Sequence, residues 1–460
     1  MRGYIQSMYK LESNIIMNHK TITNKTPLTL NKLIPSWLFL AVSAIAIAGL
    51  YSIVLVALRT PVFAEMLPHV NFFRSSLVVH VDLSILVWFF AIQLGLVSLY
   101  IRNEHFSKAI LALAALGAIL IAVSPLYPGI PLLNNYVPIL QNFPFALGLA
   151  MFICALLISN VYVVLRLLLF KWQHQSLYVL TSAIISLAAM ICIYISHTRL
   201  QRIGYVNDFG MQDYFERLFW GGGHILQFVY LQLLQFAWIK LYERITGRLL
   251  VLNRFLVIMA WLNVITVLPL LLVNIDISSA EYTLIYTDHM RYFGGIAPTL
   301  LAAYLLYKIK PKTYISLEFA AFTCSMLLFF AGGVISLFIA GSNTIIPAHY
   351  HGSVVGITVA MNGLIFVLLT DQGFKFIKGK LANLVLYIYS GGQLVHIFGL
   401  AISGGYGALR KNHGEVLAAK ARIALSFMGV GGLIALIGGL LFVYLCYNAF
   451  FCKWCKRVSE

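Results

Sequence analysis

Apolar positions in this chain fall in long unbroken blocks, separated by short segments rich in Lys, Arg, Gly or Pro. A helix crossing ~30 Å of hydrocarbon needs roughly 20 such residues in a row. Twelve runs meet this, at about 35–57, 74–101, 107–126, 141–170, 175–197, 217–241, 250–273, 289–308, 314–340, 347–371, 381–403 and 421–448. The pattern predicts an all-α integral membrane protein, a twelve-transmembrane-helix bundle over residues 35–448 with short loops. A polar tail at 1–34, expected to be disordered and without a cleavable apolar core, precedes it, and a short tail at 449–460 follows. No repeat of 20–50 residues is visible.

Composition agrees. Of 460 residues, 61% are hydrophobic and 10% charged, against about 25% charged in a soluble protein. The net charge of +17 invites a nucleic-acid reading, but its placement removes it. Arg102/Lys108, Arg166/Lys171, Lys240/Arg244/Arg248, Lys308/Lys310/Lys312, Lys375/Lys378/Lys380 and Lys453/Lys456/Arg457 all fall on one side of a twelve-helix count, as does the N-terminal tail. The positive-inside rule makes that side cytoplasmic, with both termini inside, and the expected location is the bacterial inner membrane. The expected contact is therefore membrane lipid, with no nucleic acid. Six cysteines are scattered, and Cys452/Cys455 lack the second pair that a four-ligand zinc site needs.

The candidate chemistry is histidine. His349 and His351, in Pro347-Ala-His-Tyr-His-Gly352, stand about 200° apart around one helix, so they serve two different groups rather than one metal. His80, His224 and His289 lie early in helices that start on the outer side, and His396 lies near the outer end of one running the other way. All fall within roughly 15 Å of one boundary. Histidines from helices far apart in sequence, brought to one layer, point to haem or metal. Arg410/Lys411 and Arg199/Arg202 are cations on this outer side. They suit anionic haem propionates or simple interfacial snorkelling. Asp82, two residues past His80, is either a proton site or a bond to a neighbouring helix.

These residues resemble subunit I of the haem–copper oxidase superfamily, over essentially all twelve helices. His349-x-His351 resembles that family's tenth-helix motif, which implies His349 as axial ligand of a high-spin haem and His351 of a low-spin haem. Asn343-Thr-Ile-Ile-Pro347-Ala-His-Tyr-His is closer to the B-type branch. His80-Val-Asp-Leu-Ser-Ile-Leu-Val-Trp-Phe-Phe90 resembles the second-helix segment, making His80 the other ligand of the low-spin haem. Trp220-Gly-Gly-Gly-His224 and Asp288-His289-Met290 resemble the motifs that hold a second metal. Pro298-Thr299, and His396-Ile-Phe-Gly-Leu400 leading to Arg410-Lys411 as haem-propionate partners, complete the order.

The departures fall at the chemistry. Asp288 stands where the family has a histidine, so the implied set at the second metal is His224, His289 and Asp288. Two imidazoles and a carboxylate suit non-haem iron as well as copper; alternatively, Asp288 is a helix N-cap. Phe228 occupies the usual position of the redox tyrosine, leaving Tyr286, Tyr230 or Tyr292 as substitutes. Leu226 and Ala302 replace the family's proton-channel glutamate and lysine. The resemblance implies a respiratory terminal oxidase catalytic subunit with two haems and a copper, reducing O2 to water. Its electrons would come from cytochrome c or from a copper- or haem-bearing partner subunit. The alternatives are a nitric oxide reductase-like enzyme with non-haem iron, and a non-catalytic haem subunit or transporter.

Overall fold

The computed structural model describes residues 33–57, 71–168, 174–309, 316–375, 380–410 and 419–458. Nearly all of the expected N-terminal tail, and Lys411, lie outside these residues. The protein is an all-α integral membrane protein. Its helices in chain order are α1 (Ile34–Ala57), α2 (Phe72–Val81), α3 (Trp88–Ser98), α4 (Glu104–Val123), α5 (Phe143–Leu167), α6 (His174–Arg202), α7 (Tyr205–Thr246), α8 (Arg254–Val267), α9 (Ala280–Phe293), α10 (Ile296–Lys308), α11 (Leu317–Ser336), α12 (Ile345–Asp371), α13 (Lys380–Gly405) and α14 (Ala419–Val458). Among the described residues, eleven spans are long and apolar enough to cross a membrane.

The apolar blocks begin where a polar side chain closes the first helical turn. Asn103, Asn142, Asn253, Ser279 and Ser316 each accept a hydrogen bond from the backbone N–H three residues on. Such caps satisfy amides that lipid cannot. The stretch expected as the eighth span is instead a broken pair, α9 and α10, parted at Gly294-Gly295 with Pro298 in the next first turn. Proline is tolerated there because the first-turn amides have no intrahelical partner. Asp288 lies well inside α9, whose cap is Ser279, so the N-cap reading of Asp288 is corrected.

Two other local features bear on the site. Between α2 and α3 the chain forms a π-helical turn, Asp82–Val87, at which Ser84 Oγ donates to the His80 carbonyl at 2.7 Å. Between α4 and α5 a small antiparallel hairpin pairs β1 (Ile130–Leu132) with β2 (Ile139–Gln141), Ile130 opposite Gln141. The bundle packs through close backbone approach, as membrane helices do when small residues line their contacts. A Cβ on Gly352 of α12 would sit 2.5 Å from Gly332 Cα of α11.

Candidate functional site

Five buried or half-buried histidines share one mode of anchoring. Nδ1 lies 2.8 Å from a backbone carbonyl in His80 (Ala48), His349 (Gly332), His351 (Pro347) and His224 (Trp220), and 2.9 Å in His396 (Met428). A carbonyl only accepts, so Nδ1 carries the proton of each neutral ring and Nε2 carries the lone pair. This is the setting in which imidazoles ligate metals: the outer nitrogen fixes tautomer and orientation. His289 is reversed. Its Nε2 bonds the Thr266 carbonyl at 2.9 Å, while its buried Nδ1 has no partner.

The structure sorts these rings into three places. His351 faces His396 of α13, ring centroids 5.2 Å apart, and both His396 and His80 are near enough to interact with it electrostatically. His349 turns the other way, to α11, where Ser353 Oγ also lies 3.4 Å from its Nδ1. Among the described residues, Nε2 of His80, His349 and His351 makes no hydrogen bond, and on this the three fit axial haem ligation. Arg410 is tied by its Nε to Ser342 Oγ at 3.2 Å, within electrostatic reach of Tyr136 and Tyr350.

The third place surrounds His224, which is 4% exposed. Its Nε2 is 2.8 Å from the hydroxyl of Tyr136, carried in by the hairpin loop. Since Nδ1 holds the ring proton, the phenol donates. Asn134 braces the loop: its side chain bonds the Val137 carbonyl and accepts from the N–H groups of Tyr136 and Val137 at 3.0 and 2.9 Å. Asn135 bonds Glu216 of α7 through both its backbone and its side chain.

Gly221-Gly222-Gly223 explains why α7 accepts these neighbours. A Cβ on Gly221 would meet Tyr286, Cys192 and Tyr282 within 2.9 Å. One on Gly222 would meet Ile193 at 2.3 Å, and one on Gly223 the Tyr136 ring at 2.2 Å. Three glycines thus clear three sides of one helix. On the face of α7 that carries Gly222 and Leu226, an apolar cavity of about 320 Å³ opens beside Phe90 and Met190, with His197 among its walls.

The expected second-metal set is not gathered. Asp288 is about half exposed and pairs with Arg291 at 3.6 Å, one turn away on α9. His289 packs on Phe228, ring centroids 5.0 Å apart, with its Nε2 committed to Thr266. Among the described residues, no three His, Cys, Asp or Glu side chains are grouped to hold a metal. His224, His289 and Asp288 as placed here do not fit one ion. Tyr286 is buried 6.3 Å from the His224 ring and bonds Cys192 Sγ and the Leu270 carbonyl. Tyr230 packs on Phe89 at 4.6 Å, with Asp82 in electrostatic reach. Asp82 is 1% exposed, and one of its carboxylate oxygens has no hydrogen-bond partner. Tyr292 is exposed.

The fold and its buried and half-buried histidines define a polytopic helical membrane protein with a set of inward-facing imidazoles. No family model matches the chain. It is 34% identical, over an alignment of 504 residues, to the uncharacterized protein RP382 of Rickettsia prowazekii (strain Madrid E), covering 94% of this chain and 98% of that protein. An uncharacterized protein of Aquifex aeolicus (strain VF5) is 28% identical over 354 residues, covering 76% of this chain and 88% of that protein. The chain belongs to one family with the Rickettsia protein.

Proposed function

We propose that this chain is the haem-bearing catalytic subunit of a bacterial respiratory oxidoreductase of the haem–copper oxidase type, a terminal oxidase acting on O2. The observation that carries this reading is the arrangement of His80, His349 and His351. Each has its Nδ1 on a backbone carbonyl and its Nε2 without a hydrogen bond among the described residues, and two of them diverge from one helix. His80 and His351 would hold a low-spin haem, and His349 a second haem. Bound there, haem iron would supply a path for electrons and a place for a diatomic gas.

The chain's own residues do the positioning. The Gly332, Pro347 and Ala48 carbonyls fix three imidazoles in one tautomer and limit their rotation. Arg410, held on Ser342, offers a cation for a propionate. In this reading α9 and α10 together make the twelfth span, the lysine-rich loops face the cytoplasm, and both termini are inside. Electrons come from cytochrome c or a partner subunit. Copper or non-haem iron at His224 is no part of the proposal, because the side chains there do not fit it.

The test is optical. The purified protein should contain two haems in reduced-minus-oxidised spectra, one of which binds carbon monoxide. His351→Ala should abolish the low-spin signal and His349→Ala carbon-monoxide binding. A protein without haem, or variants that both keep both signals, would sink the reading. Consumption of O2 against NO by the reduced protein decides between an oxidase and a nitric oxide reductase.

A further inference from the structure

We infer that the pocket at His224 is built around a phenol–imidazole pair, Tyr136 with His224, in place of a bound metal, and that Tyr136 is the positioning residue that fixes His224. This deepens the proposed function, and rests on it only for the pair's place beside a gas-reducing centre.

The inference stands on what each donor atom is already doing. A metal at His224 needs the lone pair on Nε2, because Nδ1 is spent on the Trp220 carbonyl. The Tyr136 hydroxyl holds that lone pair at 2.8 Å. To free it, the phenol must swing away, and the hairpin resists. Asn134 fastens Tyr136 and Val137 on one side, and Asn135 fastens the loop to Glu216 of α7 on the other. The ring lies flush on Gly223, where any side chain would displace it. Trp220, whose Nε1 donates to the Thr283 carbonyl at 3.0 Å, closes the pocket edge-on to Tyr136, ring centroids 5.6 Å apart.

Of the other two expected ligands, His289 keeps a free lone pair on its buried Nδ1 while its Nε2–H stays on the Thr266 carbonyl, whereas Asp288 would have to leave Arg291 and turn inward. Two separate rearrangements, of Tyr136 and of Asp288, stand between this arrangement and one ion. The phenol–imidazole bond needs none. Its chemistry is that of a proton-sharing pair: a neutral phenol donor, a neutral imidazole acceptor, and an Nδ1–H held on a carbonyl so that the ring keeps one tautomer.

Two measurements on the full-length protein in detergent test this. The first is elemental analysis after growth with copper and iron, with haem iron counted separately. Wild type should hold no copper and no iron beyond haem, and His224→Ala should give the same figures. One equivalent of copper or extra iron in wild type, lost in His224→Ala, overturns the inference. The second is nitrogen-15 resonance of labelled histidine. His224 should show an Nδ1–H tautomer with a hydrogen-bonded Nε2, and Tyr136→Phe should shift that Nε2 signal while Tyr286→Phe leaves it in place. An unmoved signal in Tyr136→Phe also overturns it. A protein without haem removes the oxidase reading, while both measurements still decide on the pair.

Discussion

Nδ1 of His349 on α12 meets the carbonyl of Gly332 on α11 at 2.8 Å, and at the same glycine the α12 backbone lies so near that a Cβ would sit 2.3 Å from the Ser353 nitrogen. One residue therefore sets both the distance between the helices and the aim of the imidazole.

Gly332→Ala should break both. Its Cβ would lie 2.3 Å from the Ser353 backbone nitrogen, which has no slack to give. Forcing such a group into a packed contact costs about 1–3 kcal/mol or more. Thermal unfolding in detergent should fall accordingly, and carbon-monoxide binding should fall with it. Gly333→Ala is the control: nothing lies within 4 Å of its Cβ, so it should leave both unchanged. Equal behaviour of the two variants would refute the argument.

Gly223→Ala should evict Tyr136. The clash is with the base of the ring, Cβ and Cγ, rather than a flexible end. The hairpin then loses its anchor in the bundle. Limited proteolysis should cut the 130–141 segment at least several-fold faster than in wild type, while the helices stay protected. Unchanged cleavage would mean that the glycine is not what seats the ring.

The phenol of Tyr136 carries a pH signature, since it lies in a loop outside the spans. Burial raises its pKa above the ordinary 10.0, the Glu216 carboxylate raises it further, and Arg410 opposes them. The folded state thus holds its proton more tightly than the unfolded chain. That stability is complete below the ordinary value and is lost as pH climbs from about 10 toward the folded pKa. Wild type minus Tyr136→Phe should show no phenolate absorbance near pH 10, and wild type should lose more stability than the variant above it. A phenolate band at pH 10 would show the ring to be in water.

At the opposite end of α7, Lys240 Nζ and Glu243 Oε2 are paired at 2.8 Å with both side chains under 10% exposed, 8% and 6%. Glu243 Oε1 also accepts the Leu250 N–H at 3.0 Å. Glu243→Ala leaves a buried ammonium without its partner, which costs about 3–5 kcal/mol. Replacing both, Lys240→Met with Glu243→Leu, should recover most of that. Chemical denaturation of the three proteins checks it; a double variant no better than the single one counts against a pair effect.

The spans were legible because lipid makes length and apolarity sufficient signals, and eleven of them need no other information. The opposed faces of His349 and His351 were legible because they follow from helical pitch. The break at Gly294-Gly295 was not, since apolar residues run on through it. Asp288 was misplaced for the same reason: the true cap, Ser279, lies upstream of the apolar run. Tyr136 was missed because its partner is 88 positions away and its own neighbours are turn residues. A tyrosine framed by Asn134, Asn135 and Pro138 on the histidine side was the available clue. Which nitrogen of each histidine is bare depends on carbonyls from other helices, and no local pattern encodes that.

The π-turn at Asp82–Val87 also changes how the faces of this segment are read. A wider turn takes in one extra residue, which shifts everything beyond it by about 100° around the axis. A helical wheel drawn straight from Phe72 to Ser98 therefore assigns Trp88, Phe89 and Phe90 to the wrong neighbours relative to His80. Against a helix without such a turn, the residues beyond it match in facing only if one position is skipped. A single-residue deletion within 82–87 would close the turn to an ordinary α-helical one and leave the residues on either side facing the helices they face now.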